Sequence, residues 1–339
     1  MSSMKIVFTE TPTTIHNPHD IDFTLLPEDA EYSVALYIPD EPIDSETNSA
    51  FVEEVRDADI IIDNFVYFGK ELIDVLERCK IISFQSIAFS EADLEYAKEK
   101  GIAVASIRDY CHQEVAETAM AAMMCLQRNI LNYSRSVQEK KVWNTIQFPN
   151  MIRIEGQTIS LIGCGRNGQH VAKIAKGLGM RLLGYDPYLP AEVAEELGIQ
   201  MVDFDTAMEE ADVVSVHAVL TEETRYMFDE EAFRKMKKHP IFINVGRGQL
   251  VRESVVKWAL EEGMIRGAAL DVLESEDPDL NDCVLIGSEM PENLIITPHI
   301  GYLSTTSDYL CRKYSVDNAL NYYFGKYDEV HDIRNGVRA

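Results

Sequence analysis

Thr158-Ile-Ser-Leu-Ile-Gly163-Cys-Gly165-Arg-Asn-Gly168-Gln-His-Val-Ala172 is the stretch that decides the architecture. A short β-forming run leads into G-x-G-x-x-G, and the glycines open a segment with helical spacing. Strand, glycine turn and helix in that order suit a dinucleotide pyrophosphate. Gly163 permits the tight turn, Gly165 lets the backbone approach the phosphates, and Gly168 lets helix and strand pack closely. The helix N-terminus then faces the phosphates. The next predicted strand, Arg181–Tyr185, ends on Asp186. A carboxylate there accepts hydrogen bonds from the adenosine ribose hydroxyls and repels a 2′-phosphate. Pro187-Tyr188-Leu189 brings no arginine to receive such a phosphate, so NAD is the expected cofactor. Cys164, inside the turn, reads as a small buried filler.

Outward from this motif, short β-branched runs alternate with helical patterns, the signature of βα units around parallel sheets. Upstream, strands are predicted at Lys5–Thr9, Ser33–Tyr37, Asp59–Ile62, Lys80–Phe84 and Ile102–Val104. Helices are predicted at Thr47–Asp57, Gly69–Arg78 and Glu91–Lys100, the last stopped by Gly101. One long helix is expected from about Gln113 to Lys141, with Ala116, Ala119, Met120, Met123, Met124 and Leu126 on its apolar face. Its length suggests a connector between domains. After the glycine motif, further strands are predicted at Gln200–Val202, Val213–Val216, Pro240–Asn244, Arg266–Leu270 and Asn293–Thr297. A helix near Thr305–Phe324 follows. The fold class is therefore α/β, with parallel sheets.

The 339 residues are enough for about two domains. Asp and Glu total 57 against 31 Lys and Arg, a net charge of −26. Such a surface repels nucleic acid and anionic membranes, so neither is an expected partner. A single local arginine can still hold an anionic substrate. Six scattered cysteines form no C-x-x-C pair, so neither a disulfide framework nor a zinc site is expected. The longest apolar run, Ala119–Leu126, is too short to span a bilayer. Together these features read as a cytoplasmic protein.

Three polar residues carry the chemistry: Arg247 in Asn244-Val-Gly-Arg-Gly248, Glu276 in Leu270-Asp-Val-Leu-Glu-Ser-Glu276, and His299 in Thr297-Pro-His-Ile-Gly301. Each follows a predicted strand of the nucleotide-binding region, where open α/β sheets form their ligand crevice. Reduction of a 2-keto acid needs a group to hold the substrate carboxylate, and arginine offers a planar fork with permanent charge. It needs a proton donor near neutral pH, which suits histidine. A carboxylate beside that histidine favours its charged form and fixes its orientation.

The order and contexts of these motifs resemble the D-isomer-specific 2-hydroxyacid dehydrogenase family over roughly residues 100–325. Asp212-Val-Val-Ser-Val-His-Ala-Val-Leu-Thr221, Glu223-Thr-Arg225 and Gly267-Ala-Ala-Leu-Asp271 match as well. The resemblance implies an NAD-dependent enzyme interconverting a (2R)-hydroxy acid and a 2-keto acid. Arg247 is then the substrate arginine, His299 the acid/base and Glu276 its partner. The resemblance places Arg166 and Asn167 over the pyrophosphate. It puts Ala218, Val219 and Thr224 beside the adenosine, Val245, Gly246 and Asp271 around the nicotinamide, and Gly301 among the cofactor-binding residues.

The same resemblance implies two Rossmann-like or flavodoxin-like domains, the substrate domain discontinuous in sequence. Residues 1–108 plus 301–339 would form the substrate domain, and 109–300 the NAD-binding domain. A homodimer through the nucleotide domain and an active site in the cleft are part of the same implication. Phe65 and Tyr67 are candidates to touch the substrate. Many relatives carry proline where this chain has Val219. Relatives commonly carry a glycine-containing loop where this chain has Gln85-Ser86-Ile87-Ala88-Phe89-Ser90, so its pocket is expected to be shaped differently. A second reading is an NAD(H)-sensing binding protein similar to the C-terminal-binding corepressors, which keep the same motifs.

Overall fold

The computed structural model describes residues 3–12, 25–87, 92–148, 151–276, 280–287 and 291–338. Its elements run in the order β1 (Lys5–Glu10), β2 (Glu31–Leu36), α1 (Glu46–Arg56), β3 (Ile60–Asp63), α2 (Lys70–Val75), β4 (Ile81–Phe84), α3 (Leu94–Glu99) and β5 (Ala103–Ser106). Then come α4 (His112–Gln127), α5 (Ile130–Gln138), β6 (Thr158–Ile162), α6 (Arg166–Gly177), β7 (Arg181–Tyr185), α7 (Ala191–Leu197), β8 (Gln200–Met201) and α8 (Phe204–Glu210). The series closes with β9 (Val213–Val216), α9 (Glu230–Arg234), β10 (Ile241–Asn244), α10 (Glu253–Glu261), β11 (Gly267–Leu270), β12 (Leu294–Ile296) and α11 (Thr305–Tyr323). The chain divides into two compact units, one of residues up to Tyr110 with those from Ser304 onward, the other Cys111–Leu303.

The first unit is a five-stranded parallel sheet in the order β2-β1-β3-β4-β5. Alternation along its strands feeds two cores. Val7, Ile61, Ile82 and Val104 face Phe51, Val55, Leu72 and Ile73 on one side. Ile6, Phe8, Ile60, Ile62 and Ile81 face Val316, Ala319 and Tyr322 of α11 on the other. That helix begins at a reciprocal capping box between Ser304 and Ser307. Ser83 Oγ donates to the carbonyl of Ser315 (2.8 Å), pinning the helix to β4.

The second unit is a seven-stranded parallel sheet in the order β12-β11-β10-β9-β6-β7-β8. The chain reverses direction across the sheet between β6 and β9, the switch point at which such folds bind nucleotides. Strands β6, β7 and β9 have the bounds that their patterns predict.

The expected single helix from Gln113 to Lys141 is two helices. Asn129 sits between them in the left-handed region (φ 49°, ψ 33°). Asparagine tolerates that conformation better than most residues, and one such residue ends the α4 ladder and redirects the chain. The helix predicted over Gly69–Arg78 stops at Val75. Beyond it the amide of Glu77 donates to the carbonyl of Arg56 (2.8 Å), a tertiary bond that takes the place of another helical turn. The start of the helix expected at Glu91 lies outside the described residues. Among the described residues no helix is long and apolar enough to cross a membrane.

Candidate active site

The glycine turn is built as the motif requires. Gly163 has φ 89°, and a Cβ there would stand 2.5 Å from the amide nitrogen of Ala218. A Cβ on Gly168 would stand 2.4 Å from the carbonyl oxygen of Gly163. Nothing lies within 4 Å of a Cβ built on Gly165, so the turn is open where a pyrophosphate would approach. Gly165 caps the twelve-residue α6 without a side-chain hydrogen bond, and Arg166 and Asn167 supply its first turn. The N-terminal end of a helix carries partial positive charge and favours an anion placed against it.

Asp186 does two things at the end of β7. Its Oδ2 accepts from the amide of Cys164 (2.8 Å), and its Oδ1 accepts from that of Tyr188 (2.9 Å). The carboxylate thus locks the glycine turn while keeping further acceptor capacity for ribose hydroxyls. A hollow beside it is lined by Tyr185, Pro187, Met201, Asp203 and Thr206. Asp203 adds a second negative charge there, which again disfavours a 2′-phosphate. Cys164 is buried, and burial pushes its thiol up to about 12. It is therefore a filler and not a nucleophile.

On the opposite wall, His217 is half-buried, with its Nε2 2.8 Å from Ser215 Oγ. Burial pushes it down to about 4, so the wall behind the turn is neutral at physiological pH. Val219 is exposed, and Thr224 Oγ1 donates to its carbonyl (2.7 Å), closing the loop that starts at Ala218. These residues can hold a dinucleotide: the turn is open, the helix amides face it, and the acid sits at the ribose end.

The three chemical residues leave neighbouring strands. Arg247 follows β10, Glu276 follows β11 and His299 follows β12. The loop of Arg247 is organised by buried Asn244, whose Nδ2 donates to the carbonyl of Arg247 (2.9 Å). Its Oδ1 accepts from the amide of Gly246 (3.0 Å). Arg247 itself is exposed and places Nη1 on the Gly246 carbonyl (2.8 Å). Val245 is buried beneath it.

His299 Nδ1 lies 2.7 Å from Glu276 Oε2. The Glu276 carboxylate holds the imidazolium above its ordinary range, against the opposing pull of burial; Asp271 adds to the rise and Arg247 opposes it. His299 adopts φ 51°, and its amide donates to the Asp271 carbonyl (2.8 Å). Asp271 is the centre of this turn. Its Oδ1 accepts from Thr297 Oγ1 (2.6 Å) and the amide of Ile300 (2.9 Å), and its Oδ2 accepts from the amide of Gly301 (2.7 Å). A Cβ on Gly301 would meet that oxygen at 2.7 Å. The resemblance directs Asp271 and Gly301 toward the cofactor; what they touch here is the scaffold of His299. Tyr302 packs edge-on against the His299 ring at 6.3 Å, a neighbour that no motif signalled.

Of the residues expected to meet substrate, Phe65 and Tyr67 are 53% and 58% exposed after β3, and Phe65 has φ 68°. The Tyr67 ring lies against the Cα of Gly69, where a Cβ would be 2.8 Å away. Ser86 and Ile87 follow β4, the carbonyl of Ile87 accepting from Arg334 Nη2 (3.2 Å). Ala88 and Phe89 lie outside the described residues. Sequence reading passed over Asn244, Gln249, Glu253 and Glu274, which hold the loops of the chemical residues. An asparagine at a strand end, one residue removed from Gly-Arg-Gly, is the available signal.

Residues 120–301 match the family model for the NAD-binding domain of D-isomer specific 2-hydroxyacid dehydrogenases. The chain is 33% identical over 257 residues to a glyoxylate reductase of Korarchaeum cryptofilum, covering 75% of this chain and 76% of that protein. It is 35% identical over 285 residues to a D-3-phosphoglycerate dehydrogenase of Methanocaldococcus jannaschii, covering 84% of this chain. That match spans about half (52%) of the relative's length. Among solved structures, D-lactate dehydrogenase of Aquifex aeolicus, complexed with NAD and lactic acid, superposes with a TM-score of 0.76 at 28% identity. It covers 96% of this chain and 97% of its own. With the glycine turn, the acid at its ribose end and two all-parallel sheets, these matches show that the chain belongs to the D-isomer-specific 2-hydroxyacid dehydrogenase family, NAD-dependent oxidoreductases that act on a CH–OH group.

Proposed function

We propose that the protein interconverts a (2R)-hydroxy acid and a 2-keto acid, with His299 as acid/base, Glu276 as its partner and Arg247 as the ligand of the substrate carboxylate and carbonyl. The observation that carries this reading is the 2.7 Å contact between His299 Nδ1 and Glu276. It commits Nδ1 to the carboxylate and leaves Nε2 to give a proton to the ketone oxygen or take one from the alcohol. NADH, when bound, supplies hydride chemistry at C2. The Glu276 carboxylate keeps His299 charged for the reductive direction. Arg247 keeps most of its fork for a carboxylate, since among the described residues its one bond runs from Nη1 to the Gly246 carbonyl. Arg166, Asn167, Ala218, Val219, Thr224 and Asp186 hold the dinucleotide, with Val245, Gly246, Asp271 and Gly301 on the nicotinamide side.

The unit of residues up to Tyr110 and from Ser304 onward serves as the substrate domain in this reading. Phe65, Tyr67, Ser86 and Ile87 meet the substrate side chain, and the two exposed aromatics support an apolar one. The six free thiols support a reducing, cytoplasmic setting, and the net charge of −26 supports neither nucleic acid nor membrane as partner. A second copy of the chain is the expected partner of the nucleotide unit. Trp143 and Ile146 are 89% and 82% exposed, and an apolar hollow of 270 Å³ is lined by Ala121, Cys125, Leu131, Ile295 and Ile300. Exposed apolar surface of this kind marks association sites.

The test follows NADH absorbance with purified protein across 2-keto acids from pyruvate and glyoxylate to 2-ketoisocaproate, phenylpyruvate and oxaloacetate. Turnover with an apolar member, lost in Arg247→Ala with NADH binding retained, is expected. Normal turnover in that variant refutes the arginine's role. Silence across the panel with NADH bound shifts the function to a binding role.

A further inference from the structure

The segments that carry Arg247 and Glu276 are fastened to each other by a device outside the motifs. Glu274 lies two residues before Glu276, and Glu253 opens α10. The amide of Glu253 donates to Glu274 Oε2 (2.8 Å), and the amide of Glu274 donates to Glu253 Oε1 (2.8 Å). Two carboxylates thus cap each other's backbone. The arrangement also serves the helix, because Arg252 at its N-cap provides no side-chain bond. The Glu274 carboxylate takes that place from another segment, where the helix dipole favours its charge.

Two further contacts tighten the same seam. Gln249 Nε2 donates to the carbonyl of Glu274 (2.7 Å). Gly248 approaches so closely that a Cβ there would stand 1.7 Å from the carbonyl oxygen of Leu273. Cys283 Sγ lies 3.4 Å from Glu253 Oε2, on the carboxylate oxygen that does not take the Glu274 amide.

We propose that the Glu253–Glu274 clasp is a positioning device for the acid/base pair: it fixes the backbone from which Glu276 reaches His299 and ties it to the loop of Arg247. This rests on the proposed acid/base role of His299. Glu274 does not touch His299. It holds the backbone at residue 274, and in an extended chain two residues span only about 7 Å, so a loosened residue 274 moves Glu276 directly. Among the described residues, the charged groups that bear on His299 are Glu276 on the loop after β11, Asp271 at the end of β11, and Arg247 on the loop after β10. The clasp joins the segment that carries Glu276 to the one that follows Arg247.

The test measures the pH profile of kcat/KM for keto-acid reduction, with NADH affinity by fluorescence as the check on folding. Reduction needs protonated His299, so activity is present at low pH and is lost as pH rises through its raised pKa. In Glu276→Gln the alkaline limb is expected to move to lower pH. In Glu274→Ala it should move the same way, with kcat down about tenfold or more and NADH affinity unchanged. Glu274→Gln keeps an acceptor for the Glu253 amide and should return the limb to its original position. Glu253→Ala should reproduce Glu274→Ala. A limb that moves in Glu276→Gln but not in Glu274→Ala overturns the clasp's role. A limb that stays put in Glu276→Gln overturns instead the acid/base reading beneath it. Loss of NADH binding in Glu274→Ala, unrepaired in Glu274→Gln, makes the clasp a folding element and also refutes the proposal.

Discussion

Replacing Asp271 with Asn isolates the turn that presents His299. The substitution keeps size and shape but exchanges one carboxylate oxygen for an N–H donor. The carboxylate accepts from three donors: Thr297 Oγ1 and the Ile300 amide on Oδ1, and the Gly301 amide on Oδ2. A hydroxyl can rotate and accept, so Thr297 can adapt. The two backbone amides cannot. If the new amide keeps oxygen toward Ile300, its N–H faces that of Gly301; if it flips, the N–H faces that of Ile300. Either orientation loses one charge-assisted bond and leaves donors opposed at a site only 4% exposed. A hydrogen bond to a charged group contributes ~1.5–3 kcal/mol, and an unsatisfied buried donor costs ~1–3 kcal/mol, so the expected penalty is ~2.5–6 kcal/mol. The assay is urea unfolding of the nucleotide unit followed by loss of NADH fluorescence, with kcat measured on the folded protein. The midpoint should fall and kcat should drop, because the backbone of His299 hangs from the same residue. A variant that unfolds within ~0.5 kcal/mol of the parent and turns over normally would refute the reasoning. Thr297→Val, which removes only the adaptable donor, should cost ~1 kcal/mol.

Three further outcomes are expected. Asp186→Ser removes the charge that would face a 2′-phosphate, a repulsion of ~1–4 kcal/mol at ~4 Å; the NADPH-to-NADH ratio of kcat/KM should rise about tenfold to a hundredfold, and an unchanged ratio assigns discrimination elsewhere. For the wild type, reduction should lose activity as pH rises through a midpoint above 6.5, the ordinary histidine value. Oxidation, which needs neutral His299, should gain activity through the same region, and parallel limbs in both directions would exclude His299 as the shared group. Gly163→Ala places a methyl 2.5 Å from the backbone of Ala218 at a φ of 89°; NADH binding should fall beyond titration, and retention within about tenfold shows that the turn can relax.

Much of this was legible in the sequence because its signals are local. The strands β6, β7 and β9 are short, mostly apolar runs whose ends are marked by glycine or a polar residue, and their bounds match the pattern. The glycine turn, Asp186 and the residues after β10, β11 and β12 were readable for the same reason. The break at Asn129 was not, since one residue in the left-handed region leaves the apolar period on either side intact. The end of α2 was hidden because a carbonyl from Arg56, distant in sequence, takes the amide of Glu77. The mutual capping of Glu253 and Glu274 was beyond reach as well, because it joins residues 21 apart through backbone amides. In composition both are ordinary acids in an acidic chain. Asp271 was noticed, but its neighbours were not, because three donors on one carboxylate depend on the geometry of a turn that no spacing rule describes.

The arrangement of the first unit has a consequence for synthesis. One face of its sheet, with Ile6, Phe8, Ile60, Ile62 and Ile81, is covered by Val316, Ala319 and Tyr322 of α11. The last strand of that sheet ends at Ser106 and the covering helix starts at Thr305. A ribosome adding ~5–20 residues per second needs roughly 10–40 s to make the intervening stretch. Through that interval the emerging sheet shows water a face of isoleucine and phenylalanine, while every strand of the second sheet is made before α11. The first unit to be started is therefore the last to be closed, and for a cell making this protein that delay is the period in which an aggregation-prone surface must be shielded.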